Sequence, residues 1–198
     1  MFKKLVLSAA FAAMAAAAPA SASVVFSDNF NGESQGLNYT AFANWTVTQG
    51  TVDVIGTGFY DFYPGNGNYV DMDGSTGASG GITTISSFGP ANYLLTFDLG
   101  GLQSGDPANT VVVSFNNVIL QTYTLNSSDP LASESISFTA LGAGSLSFTQ
   151  TNPGDNQGLI LDNVVLSTVD TTPAPEPMTL SLFGAGLAAM GLRRRKKA

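Results

Sequence analysis

The chain has 198 residues, only 11% of them charged, with 22 glycines, no cysteine and no histidine. Its seven Lys and Arg residues all sit near the termini, at positions 3, 4 and 193–197, so residues 24–170 set thirteen acids against no cation, a formal charge of −13. Such a body cannot neutralise nucleic-acid phosphates, which takes Lys and Arg, and it has no His, Cys or Lys on which to base catalysis.

Residues 1–22 read as a secretory signal peptide. Lys3 and Lys4 supply the charged start, residues 5–18 an apolar stretch, and Ala20-Ser21-Ala22 a small-residue site for signal peptidase, so the mature chain is expected to begin at Ser23. The apolar stretch is shorter than the roughly 20 residues that span a bilayer. Export permits disulfides, but without cysteine the body must rest on a packed core and on any metal it binds.

From residue 23 to 170 the pattern is all-β and reads as one β-sandwich domain. Period-two alternation puts Tyr93, Leu95, Phe97 and Leu99 on one strand face, Val111, Val113 and Phe115 on another, and alternates Ile136, Phe138, Leu146 and Phe148 with polar residues. Turn residues separate these runs at Gln49-Gly50, Gly100-Gly101, Asn116-Asn117, residues 142–144 and residues 152–155. Ten or eleven short strands and no sustained helical period predict a two-sheet sandwich of jelly-roll type.

Two constellations interrupt that pattern. Residues 56–68 bunch Phe59, Tyr60, Phe62 and Tyr63 within five positions among glycines, beside Asp61, Asn66 and Asn68. Flat rings next to amide and carboxylate groups make a platform for a sugar, whose C–H faces are apolar and whose hydroxyls need partners; the same rings folded inward would instead seal one end of the sandwich. The second constellation is carboxylate. In residues 159–166, a nearly continuous apolar strand, Asp162 is expected on the core side with Ile160, Val164 and Leu166. A buried lone carboxylate costs several kcal/mol, and the body has no cation to pair with it. Backbone N–H donors, protonation, a bulge or a divalent cation are the available remedies, and Ca²⁺ needs only oxygen ligands. Asp71 and Asp73, within residues 71–75, resemble the start of an EF-hand loop, but Ile82 stands where its twelfth-position Glu belongs. A solvated turn or a weak cation site is expected there. Two carboxyls on one strand point in parallel rather than across a substrate cleft, which argues against a glycoside hydrolase.

Residues 26–30 with Asn31-Gly32, Asn44-Trp45 opening a strand, and Leu161-Asp162-Asn163-Val164 closing the domain together resemble the galactose-binding-like jelly rolls of many carbohydrate-binding modules. The resemblance implies a structural Ca²⁺ between the first and closing strands, held here by Asp28 and Asp162 with further oxygens near Asn31 and Gly32. Where many such modules carry paired acids before the closing Val, this chain has Asp162-Asn163, one charge fewer.

Beyond the body, residues 171–177 form a Pro-rich linker containing Pro175-Glu176-Pro177, followed by the apolar residues 178–192 and the basic residues 193–197. At about 1.5 Å per residue the apolar stretch falls short of a hydrocarbon core about 30 Å thick, and the basic cluster is expected to stay cytoplasmic. The three parts in this order resemble the PEP-CTERM sorting segment of Gram-negative bacteria that make exopolysaccharide. The resemblance implies recognition of Pro175, Glu176 and Pro177 by an exosortase, a membrane cysteine protease, after transient anchoring in the inner membrane, and delivery of the body to the cell surface or matrix. The expected function is a non-catalytic exopolysaccharide-binding module; the alternatives are a structural matrix protein with no specific ligand and, less favoured, a carboxylate-based glycoside hydrolase.

Overall fold

The computed structural model describes residues 22–169 apart from positions 106 and 153. The leader through residue 21, and the linker, the motif at Pro175, Glu176 and Pro177 and the apolar segment from residue 171 onward, lie outside the described residues. Thirteen strands follow one another: β1 (Ala22–Asp28), β2 (Trp45–Gln49), β3 (Asp53–Gly56), β4 (Asn68–Asp71), β5 (Asp73–Gly74), β6 (Ala78–Ser79), β7 (Gly81–Thr84), β8 (Ala91–Gly100), β9 (Asn109–Phe115), β10 (Val118–Leu125), β11 (Ala132–Ala140), β12 (Leu146–Gln150) and β13 (Ile160–Val169). A six-stranded sheet runs β11-β8-β13-β4-β3 with β1 also on β13, and a five-stranded sheet runs β10-β9-β12-β7-β2. These eleven strands match the sequence expectation. The remaining two, β5 and β6, form a two-residue ladder too short to show as an alternating run.

The alternating residues do what their period demands. Tyr93, Leu95, Phe97 and Leu99 from β8 meet Val111, Val113 and Phe115 from β9, and Leu146 and Phe148 from β12, in one buried cluster between the sheets. Trp45 opens β2 within this cluster, edge-on to Phe26 at 5.3 Å and to Phe148 at 6.0 Å between ring centroids. Its indole N–H donates to Asp28 Oδ2 at 3.0 Å, so the polar end of a fully buried ring is satisfied.

One half of the six-stranded sheet is covered on both faces. Val54, Val70 and Leu161 point into the sandwich, whereas Ile55, Tyr69 and Ile160 belong to a second buried cluster with Leu102, packed by Phe59, Phe62, Tyr63 and Leu131. Those partly buried rings come from the aromatic loop, which lies over the outer face. This is why adjacent residues are both apolar in β3 (Val54 and Ile55), β4 (Tyr69 and Val70) and the start of β13 (Ile160 and Leu161), the pattern of strands buried on both sides.

The face of Asp162 differs from the sequence expectation. Asn163 adopts a left-handed φ of 49°, and the β13–β8 register slips between Asp162 and Val165. This bulge puts Val164 and Leu166 in the inner core while Ile160 stays with the outer cluster. Asp162, register partner of Asp98, follows the outer face and is nevertheless fully buried. A second correction concerns Asp71 and Asp73. They are not in a solvated turn but 4% and 0% exposed, because a loop more than eighty residues away in sequence closes over them.

Candidate functional site

The aromatic loop is fixed at both ends. Gly56 has φ 147°, and a side chain there would run into the Gly67 carbonyl; this close approach lets Thr57 N–H donate to Gly67 O at 3.0 Å. Gly56 and Phe59 exchange two backbone hydrogen bonds of 2.8 Å. Farther along, the Tyr69 hydroxyl accepts from the N–H groups of Phe62 at 2.6 Å and Tyr63 at 3.1 Å and donates to Asp61 Oδ1 at 3.2 Å. Burial pushes that phenol up to about 12, so it remains a donor at any physiological pH.

The four rings predicted to form a sugar platform take different places. Tyr63 turns inward, its hydroxyl sharing its one proton between Gly101 O at 2.5 Å and Asp129 O at 3.0 Å and accepting from Gln103 Nε2 at 2.9 Å. Phe59 packs on the outer-face cluster and edge-on against Tyr60 at 4.9 Å. Phe62 shares that cluster and also lines a groove, while Tyr60 lines the same groove and is 58% exposed. Tyr60 sits at φ 52°, a left-handed conformation that costs an aromatic residue about 1–3 kcal/mol and persists only where its surroundings impose it.

This groove, about 240 Å³ in volume, is walled by Leu37, Ile55, Tyr60, Phe62 and Leu102, with Asp53, Asp71, Ser75, Ser104, Asn156 and Gln157 supplying polar groups. Asp53 and Asp71 are register partners across β3 and β4 and therefore project from the same face. Asp53 is tightly held: Oδ1 accepts from Asn38 N at 2.6 Å and Ser75 N at 3.2 Å, and Oδ2 from Ser75 Oγ at 2.6 Å. Asp71 Oδ1 accepts from Asp73 N at 2.9 Å and Gly158 N at 2.8 Å. A side chain on Gly158 would collide with that same oxygen, so glycine is what allows the backbone this near. Burial raises the Asp71 carboxyl well above the usual carboxylate range; the two backbone donors oppose the shift and the charges of Asp53 and Asp73 add to it. Burial raises Asp73 as well. Its Oδ2 accepts from Asp155 N at 2.8 Å, while Oδ1 is buried with no partner.

The sequence reading missed Asp53 and the role of residues 155–158. Asp53 sits between Val52 and Val54-Ile55, the same acid-in-an-apolar-run signal that drew attention to Asp162, and could have been found by it.

Asp28 and Asp162 occupy the first and closing strands as expected. Asp28 Oδ1 accepts from Phe30 N at 2.9 Å, and its Oδ2 from Asn44 Nδ2 and Trp45 Nε1, both at 3.0 Å. Asp162 Oδ1 accepts from Asn163 N at 2.7 Å, and Asn163 Nδ2 reaches Asp98 Oδ2 at 2.8 Å and Asp162 Oδ2 at 3.3 Å. Burial raises Asp162 to about 7; the Asn163 N–H opposes this and the charges of Asp98 and Asp28 add to it. Asn31 Oδ1 is used by Asn68 N at 2.8 Å, and Gly32 lines a shallow pocket with Asp28 and Asn163. The candidate ligands are all oxygen, which suits a hard cation, but each carboxylate oxygen of Asp28 and Asp162 already accepts a protein donor, and among the described residues no three His, Cys, Asp or Glu side chains are grouped closely enough to hold a metal.

Comparison with known proteins bears on both parts of the chain. Residues 173–196, which include Pro175, Glu176 and Pro177, match the PEP-CTERM protein-sorting motif. No curated protein sequence gives a significant match. Among solved structures, the body is similar to the K3 cleaved adhesin domain of Lys-gingipain from Porphyromonas gingivalis W83, with TM-score 0.55 and 14% identity over 74% of this chain and 100% of that one. It is also similar to the K1 cleaved adhesin domain of the same protein, with TM-score 0.54 and 13% identity over 74% and 97%. The CBM22-1 xylan-binding domain of Xyn10C from Paenibacillus barcinonensis gives TM-score 0.50 and 15% identity over 78% and 100%. At such identities the likeness is one of fold. The chain thus carries a PEP-CTERM protein-sorting motif, which implies exosortase processing and export to the cell surface, behind a body with the β-sandwich fold of carbohydrate-binding modules.

Proposed function

We propose that the body is a non-catalytic carbohydrate-binding module that holds exopolysaccharide at the cell surface or in the matrix after the sorting segment has been processed. The observation that carries this reading is the outer-face groove, in which the exposed ring of Tyr60 and the partly buried ring of Phe62 stand over hydroxyl, amide and carboxylate groups. An exposed aromatic ring held in a strained backbone is costly without a partner, and a pyranose offers both the apolar face and the hydroxyls that this lining matches. Anchoring through residues 178–192 precedes release in this reading. Where Ca²⁺ is bound, Asp28 and Asp162 would hold it, and its role is to neutralise buried charge and tie the first strand to the last. Affinity electrophoresis in gels containing the host's exopolysaccharide tests the proposal: retardation of the wild type, lost in Tyr60→Ala at unchanged melting temperature, supports it, and equal mobility with and without polysaccharide contradicts it.

One observation favours a second reading. Asp53 and Asp71 face one groove with unlike environments, the pattern of an acid and base pair in glycoside hydrolysis. Against it, both oxygens of Asp53 accept protein donors, which weakens that carboxylate as nucleophile or base. Release of reducing ends from the polysaccharide that binds, lost in Asp71→Asn, would establish hydrolysis.

A further inference from the structure

We propose that the groove selects glycans bearing a protonated amine, such as glucosamine units, over neutral or acidic sugars, with the Asp71 carboxylate receiving the cation and Asp53 adding its charge across the strand pair. The proposal rests on the glycan-binding reading of the same groove and names the class of sugar. Asp71 lines the groove although only 4% exposed. Its Oδ1 is satisfied by Asp73 N and Gly158 N, and no described group donates to its Oδ2. Asp53 stands opposite in the strand register. Residues 24–170 contain no Lys, Arg or His near either carboxyl, so a cationic ligand meets no competing positive charge in the groove.

The nature of the cation follows from the free acceptors. A divalent metal takes six to eight oxygens, whereas Asp71 Oδ2 is the single carboxylate oxygen of the pair that no protein group donates to, one strong acceptor that matches one N–H of an ammonium rather than a full coordination shell. Among the described residues no three acids are placed to hold a metal. An ammonium has three N–H groups. Asp71 Oδ2 can take one, and the hydroxyls of Ser75 and Ser104 and the face of Tyr60 lie in the same groove for the rest. Uronate sugars are repelled by a body of charge −13.

Binding also moves a proton. Burial keeps Asp71 protonated above the usual carboxylate range, and Asp53 across the strand pair and Asp73 two residues on push the same way. When the ammonium docks, its N–H bonds to the Asp71 carboxylate, the carboxyl proton passes to buffer, and no covalent bond in the sugar changes.

Calorimetric titration of the full chain at mildly acidic pH tests this, using a fully de-N-acetylated glucosamine oligosaccharide, its N-acetylated counterpart, a neutral xylo-oligosaccharide, an oligogalacturonate and CaCl₂ alone. The amine form is expected to bind at least about tenfold tighter than the acetylated form, as charge-assisted hydrogen bonds provide. Its heat should vary with the ionisation enthalpy of the buffer in the sense of proton release. Asp71→Asn should remove both effects. The acetylation contrast and the buffer dependence are read on the unaltered protein, so they decide the matter even if the variant fails to fold. Equal binding of acetylated and free forms, or tighter binding of the uronate, overturns the amine proposal and leaves the glycan reading standing. Absence of binding by every sugar overturns both. A saturable Ca²⁺ response lost in Asp71→Asn would make the groove a metal site and overturn the proposal.

Discussion

Asp162→Asn removes a buried negative charge while changing almost no volume, and its effect should depend on pH in a sense opposite to that of most carboxylates. The Asp162 carboxyl has its ordinary value of 3.8 in the unfolded chain and about 7 in the fold, chiefly through burial. The folded state therefore holds the proton more tightly. The stability Asp162 contributes is fully present below pH 3.8 and is lost as pH rises through about 7. At about 1.36 kcal/mol per pH unit the interval sets a ceiling of roughly 4 kcal/mol. Relaxation and water penetration around the ionised carboxylate, together with solvent screening of the Asp98 and Asp28 charges, reduce this to about 2 kcal/mol. In chelator, the variant should match the wild type at low pH, apart from a small loss where its new amide faces Asn163 Nδ2. Above neutral pH it should melt higher, by roughly 4–8 °C for a domain of this size. Asp71 and Asp73 are also raised and tilt the wild-type curve the same way, so the wild-type-minus-variant difference isolates Asp162. Thermal denaturation across the pH range measures it. A variant equally destabilised at every pH, or a wild type whose stability rises between pH 4 and 7, would refute the reasoning.

The two tyrosines of the aromatic loop should separate stability from binding. Tyr63→Phe deletes the hydroxyl that bridges Gly101 and Asp129 and should cost about 1–3 kcal/mol, read as a lower melting temperature with polysaccharide retention preserved in the folded protein. Tyr60→Ala should do the reverse, weakening retention with little change in melting. Saturating Ca²⁺, at about 100 times its Kd, should stabilise the wild type by roughly 2.7 kcal/mol and leave Asp162→Asn nearly unmoved; superimposable melts in Ca²⁺ and chelator would remove the metal from the account. Glu176→Ala should block processing without blocking export. Mass spectrometry of the exported wild type should show a C-terminus upstream of Ala198 and that of the variant should not.

Much of the fold was legible because it is local. The alternation in β8, β9 and β12 placed Leu95, Phe97, Val113 and Phe148 in the core, and Asp162 declared itself as an acid inside an apolar run. The failures are non-local. The bulge at Asn163 turns Ile160 and Val164 to opposite faces, and nothing in a period-two pattern signals a one-residue slip. Asp71 and Asp73 looked solvated because the groups that bury and satisfy them, Gly158 N and Asp155 N, arrive from the far end of the chain. The aromatic loop was recognisable as a cluster, but which ring faces solvent depends on contacts with Tyr69, Gly101 and Asp129 that tertiary structure alone creates.

Chemical-shift mapping of the labelled protein during titration with an oligosaccharide it retains tests the location of binding most directly. The account predicts perturbations concentrated at Ile55, Tyr60, Phe62, Asp71, Leu102 and Gln157 around the outer-face groove, with β10 and β11 unaffected. Perturbations centred instead on the exposed edge at Val118, Ile119 and Leu141, or none at saturating sugar, would contradict it.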